Sequence, residues 1–79
     1  MYKHKIKFDS LWNASKFDGH YQWRDGNPLF NQSNENGTHM FYLTEFPLPG
    51  EQQQEITQFS GVQETVFNMS SDGKGRWWK

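Results

Sequence analysis

Residues 2–8, Tyr-Lys-His-Lys-Ile-Lys-Phe, alternate without a break. Tyr2, His4, Ile6 and Phe8 fall on one face and Lys3, Lys5 and Lys7 on the other, the period-two signature of a half-buried strand. A row of lysines on the outer face suits an edge strand, where charge blocks unwanted pairing. Asp9-Ser10 breaks the alternation, and Ser10 to Phe17 reads as a helical turn or an irregular link that folds Leu11 and Trp12 back onto the core. Asp18-Gly19 is a turn signal, His20 to Arg24 alternates again, and Asp25-Gly26-Asn27-Pro28 is a second turn, because Gly tolerates positive φ and Pro fixes φ. This predicts a hairpin across residues 20–31.

Residues 31–37 are wholly polar, and Asn36-Gly37 favours a type I′ turn. Thr38 to Thr44 is nearly continuous in bulky residues and predicts a central strand covered on both faces. Pro47-Leu48-Pro49-Gly50 ends it. Glu51 to Phe59 is ambiguous: Gln and Glu are fair helix formers, yet Ile56 and Phe59 are the only apolar anchors, and extended structure is favoured from about Glu55. Ser60-Gly61 reads as a tight hairpin turn between two strands, Val62 to Met69 as a strand, Asp72-Gly73 as a turn and Gly75 to Trp78 as a last short strand. Turn signals at short spacing with strands between them describe one domain over residues 1–79. The expected class is all-β: a small antiparallel meander of about five to seven short strands with at most one short helix, curled into a sheet, barrel or compact sandwich.

Composition explains how such a chain holds together. It has no cysteine, so no disulfide staples it. Eight residues are Ile, Leu or Val and fourteen are aromatic. Each aromatic buries ~150–250 Å², so the core should be aromatic, and self-association is a further means of stabilising a domain of this size. The formal net charge is −1, with 8 basic and 9 acidic residues, too balanced for a double-stranded nucleic-acid binder. No apolar run approaches the ~18 residues of a membrane span. Met1 is followed by a charged, alternating segment rather than a signal peptide, so a cytoplasmic location is expected. The four Asn-x-Ser/Thr triplets at Asn13, Asn31, Asn36 and Asn68 are then chance products of a chain rich in these residues rather than glycan acceptors.

Catalytic chemistry finds little purchase. His4, His20 and His39 lack metal-ligand spacing, and neither a metal nor a cofactor is expected. Asp9, Asp18, Asp25 and Asp72 sit at expected turns, three of them before Gly. Glu45, between Thr44 and Phe46, is the glutamate flanked by apolar bulk, and a cluster of His20, His39 and Glu45 would form only if their strands adjoin. There is no nucleophile elbow, and Gly73-Lys74-Gly75-Arg76 lacks the spacing of a phosphate-binding loop. A small enzyme, or a barrel holding a lipid or chromophore, would need a pocket that sequence does not display.

What remains is a surplus of aromatics beside amides. Adjacent Trp77 and Trp78 on a strand point to opposite faces, so one is exposed. Aromatic faces beside amides suit sugars, protein hot spots and single-stranded nucleic acids. The expected function is a non-catalytic binding module whose ligand, by slight preference a glycan, meets Tyr21, Trp23, Asn31, Gln32, Tyr42, Arg76, Trp77 and Trp78. The alternative is a protein-interaction role, as an accessory subunit or a phage-type inhibitor.

Overall fold

The computed structural model describes residues 1–23 and 28–70. Six elements follow one another: β1 (Tyr2–Phe8), α1 (Leu11–His20), β2 (Phe30–Ser33), β3 (His39–Thr44), α2 (Gly50–Thr57) and β4 (Val62–Ser70). The strands form one open antiparallel sheet in the order β2-β3-β1-β4. The described residues are therefore mostly antiparallel sheet, as expected, but mixed α/β rather than an all-β meander: four strands in an open sheet with two helices, where at most one short helix was expected. Because β1 and β2 both run antiparallel to β3, they are parallel to each other with β3 between them. Likewise β3 and β4 are both antiparallel to β1 and parallel to each other. Two interleaved split β-α-β units result, the ferredoxin-like connectivity.

The helices share one face of the sheet. His4, Ile6 and Phe8 of β1 are buried there, with Tyr42 and Met40 of β3 opposite His4 and Ile6. Ala14 and Phe17 of α1 and Ile56 of α2 complete the same core with Leu48. Lys3, Lys5 and Lys7 alternate onto the other face, paired across β3 with Leu43, Phe41 and His39. Thus β1 is an interior strand rather than the edge strand its lysines suggested; they line a sheet face, not an edge. Strand β3 is buried on both faces from Met40 to Leu43, as its continuous bulk predicts.

Both helices were hidden by their own residues. Helix α1 starts on Ser10, whose hydroxyl accepts the Asn13 N–H at 3.2 Å, a normal N-cap. Asp9 reinforces it by accepting from Asn13 Nδ2 at 2.8 Å. Ala14 and Phe17 are its buried residues, whereas Leu11 and Trp12 face outward, 57% and 73% exposed. Asp18-Gly19, which reads as a turn, lies within the last helical turn, closed by Tyr21 N–H to the Phe17 carbonyl at 2.9 Å. The hairpin expected over residues 20–31 does not form: β2 begins only at Phe30 and pairs with β3. The turn at residues 25–28 falls mostly outside the described residues, as do those expected at 72–73 and the strand at 75–78.

Helix α2 replaces the extended segment expected from Glu55. Its buried residues are Gln52 and Ile56, one turn apart, so one of its two core positions carries an amide and the apolar periodicity disappears. Gln52 is 1% exposed, and its Oε1 has no hydrogen-bond partner among the described residues. A buried acceptor left unpaired costs about 1–3 kcal/mol. Gln52→Met, nearly isosteric and apolar, is therefore expected to raise stability by about 1 kcal/mol, read as a higher urea midpoint at unchanged slope. A lowered midpoint would show that the amide is satisfied after all. Ser60-Gly61 forms the expected turn, but it joins α2 to β4, and Gly61 takes a φ of +83°.

The β2–β3 turn falls near its expected place with different geometry. Asn34 carbonyl accepts the Gly37 N–H at 3.1 Å, so Glu35 and Asn36 are the central residues. Only Gly37, at +72°, has positive φ there, which rules out type I′. Asn34 Oδ1 also accepts the N–H groups of Thr38 and His39, at 3.0 and 3.1 Å.

A buried polar knot ties β1, β4 and the segment before α2. Strand β4 bulges opposite His4: Lys3 pairs with Met69 and Lys5 with Val66. Asn68 sits in the bulge at φ +59°, a conformation Asn tolerates. Its backbone N–H donates to His4 Nδ1 at 3.0 Å, so the neutral ring carries its proton on Nε2. That proton goes to Thr44 Oγ1 at 2.8 Å, and Thr44 donates onward to the Phe46 carbonyl at 2.7 Å. The Asn68 amide meanwhile grips Leu48, accepting its N–H at 2.8 Å and donating to its carbonyl at 3.1 Å.

Candidate functional site

The C-terminal turn of α1 and the chain leaving it lie against the β2–β3 pair. Tyr21 stacks on Phe17, with centroids 4.9 Å apart and planes 16° apart. Trp23 meets Tyr21 edge to face, at 5.1 Å and 85°, and Tyr42 at 5.0 Å and 52°. Phe17 is the hub: Phe8, Tyr42 and Phe59 also pack on it, at 5.4, 5.9 and 5.0 Å. Aromatic pairs prefer such tilted and offset arrangements, so the cluster is both core and wall. It walls a cleft of about 520 Å³ lined by Asp18, Gly19, Tyr21, Trp23, Pro28, Leu29, Asn31 and Tyr42. That size falls within the ~300–1,000 Å³ of small-molecule sites.

Polar atoms converge on Asp18. The Tyr42 hydroxyl donates to its Oδ1 at 2.8 Å, and Asn31 Nδ2 reaches the same oxygen at 3.4 Å. Register explains the pairing, since Asn31 and Tyr42 are cross-strand partners and share a face. Burial first, then the Asp18 bond and its charge, push the Tyr42 phenol far above its ordinary pKa; it remains a donor throughout the physiological range. Asp18 is the sole carboxylate among the described lining residues, so they hold no acid–base pair of the glycosidase kind.

Four residues expected at the site, Tyr21, Trp23, Asn31 and Tyr42, come together in this cleft. Gln32 does not. It follows Asn31 on β2 and pairs with Phe41 on the opposite sheet face, because adjacent strand residues point to opposite sides. Arg76, Trp77 and Trp78 lie outside the described residues. The rings form a corner rather than a flat platform, and Tyr42 is only 1% exposed. Asp18 was missed because Asp-Gly reads as turn chemistry; one helical step from Phe17, it is placed by the same turn that buries that ring.

The His20, His39 and Glu45 cluster does not assemble. His20 lies on the outside of α1, beside a groove with Trp12, Ser15 and Lys16. His39 and Glu45 stand at opposite ends of β3, on the order of 20 Å apart at the rise of a strand. His39 pairs across the sheet with Lys7; partial burial, then Lys5 and Lys7, lower its pKa against the opposing pull of Glu64. Among the described residues no three His, Cys, Asp or Glu side chains are grouped to hold a metal. No helix there is long and apolar enough to cross a membrane.

No family model matches the chain, and no curated protein or solved structure shows significant similarity to it. Fold topology by itself does not assign a function, so the cleft is where the chemistry must be sought.

Proposed function

We propose that this protein is a non-catalytic binding module that holds a small hydroxyl-rich ligand, the terminal sugar of a glycan, in the cleft between α1 and β2–β3. The observation that carries the reading is the meeting of Asp18, Asn31 and Tyr42 with the ring faces of Tyr21 and Trp23 around one cleft of small-molecule size. Asp18 and Asn31 bond sugar hydroxyls, and the half-buried rings cover the apolar edge of the pyranose. The corner geometry favours a chain end over the flat face of an extended polymer.

Retention on a glycan array, followed by titration of the best hit, tests this. Trp23→Ala is expected to weaken binding at least about tenfold, or ~1.4 kcal/mol, with the fold retained. Trp12→Ala, on the far side of α1, should leave it unchanged. Absence of any glycan retention, or equal effects of the two substitutions, would sink the reading.

A second reading, a protein-interaction role, rests on Leu11 and Trp12, which stand exposed side by side at the start of α1. Tryptophan is enriched at interface hot spots. Native mass measurement distinguishes it: this reading requires a stable homo-oligomer or hetero-complex that Trp12→Ala dissociates, whereas a monomer with intact glycan binding counts against it.

A further inference from the structure

We propose that the sugar held in the cleft is a protonated amino sugar, recognised through a charge-assisted bond from its ammonium group to Asp18. The inference rests on the sugar-binding reading above and names the ligand class within it. Asp18 is the one charged side chain among the described lining residues. Its Oδ1 is engaged by Tyr42 and Asn31, which fix the carboxylate, and among the described residues neither of these bonds uses Oδ2, the acceptor offered to a ligand.

Two further features select a cation over a neutral hydroxyl. Asp18 lies in the last turn of α1, which ends at His20, where unpaired helix carbonyls concentrate negative partial charge. A carboxylate at that end adds to the helix field instead of offsetting it, and a ligand cation relieves both. The second feature is the wall itself: the π-faces of Tyr and Trp attract a cation within ~6 Å of the ring. The Tyr42 hydroxyl stays protonated and hands the carboxylate a hydrogen bond rather than a competing charge.

The test is an amide-resolved titration of the full chain with three probes of equal length: glucosamine oligomers, their N-acetylated counterparts and neutral glucose oligomers. The amine-bearing oligomers are expected to bind at least about tenfold tighter than the N-acetylated ones, the size of a charge-assisted bond in place of a neutral one. Asp18→Asn keeps an acceptor for Tyr42 but removes the charge, and should bring the ratio of the two affinities close to one. Equal affinities for amine and N-acetylated probes, or a preference that survives Asp18→Asn, overturn the inference while leaving the sugar site standing. Failure of all three probes to bind while other glycans are retained on the array overturns the inference alone; no retention of any glycan overturns the sugar-binding reading and the inference with it.

Discussion

Replacing Phe17 by alanine is expected to remove about 4 kcal/mol of folding stability, enough to leave a domain of this size largely unfolded at room temperature. Phe17 is fully buried, and its ring touches Phe8, Tyr21, Trp23, Tyr42 and Phe59. Deleting it opens a cavity where α1 meets the sheet, walled by five aromatic rings that packed on it. A cavity adds its own cost to the lost transfer energy. Phe17→Leu keeps most of the volume and should cost about 1.5 kcal/mol. Trp12→Ala, at a residue 73% exposed, should move stability by no more than about 0.5 kcal/mol. Urea unfolding followed by circular dichroism checks the series. Equal losses at Phe17 and Trp12 would contradict the assignment of the core to that face of α1.

Acid should unfold this protein through His4. Burial lowers the pKa of its ring from the ordinary 6.5 to about 4, and both ring nitrogens are already committed, Nδ1 as an acceptor. Between those two values the unfolded chain takes up a proton that the folded chain resists. The contribution is therefore complete above pH 6.5, declines as pH falls through the window and levels off below about 4. A difference of two to three pKa units corresponds to about 3 kcal/mol. Protonating Nδ1 would set an N–H against the Asn68 N–H, and Asn68 in turn holds Leu48, so the β4 bulge and the segment before α2 should loosen together. Stability measured from pH 7 to pH 4 checks this, with His4→Gln as the neutral comparison. That variant should be less stable at pH 7 and show a shallower decline; parallel curves would assign the acid sensitivity elsewhere.

The strands were legible where alternation was strict. Strand β1 announced itself by alternation, β4 as the run after the Ser60-Gly61 turn, and β3 by unbroken bulk, because a strand buried on both faces tolerates no polar interruption. Sheet order was not legible. The three lysines of β1 look the same at an edge as on an open face, and only pairing with both β3 and β4 separates the two. The helices failed for local reasons. Gln52 occupies a core position of α2, Leu11 and Trp12 put apolar bulk on the wet side of α1, and Asp18-Gly19 carries a turn signal inside a helix. In each case tertiary packing overrode local preference.

The cleft was half legible. Aromatic surplus beside amides pointed to Tyr21, Trp23, Asn31 and Tyr42, although the hairpin expected over residues 20–31 does not form. Their meeting depends on α1 delivering Tyr21 and Trp23 to the β3 strand, a long-range contact with no sequence signature. Asp18, the residue on which the polar contacts converge, was hidden by the Gly after it. Gln32 was drawn in by its neighbour and excluded by the strand's two-sidedness.

If the cleft is the working surface of the protein, ligand contacts must gather there. Chemical-shift mapping of the labelled chain with a bound glycan tests it most directly. Perturbed amides should gather at Asp18, Gly19, Tyr21, Trp23, Asn31 and Tyr42, with Trp12, Ser15, Lys16 and His20 unmoved. Shifts confined to that outer face of α1, or spread along the lysine face of β1, would contradict it.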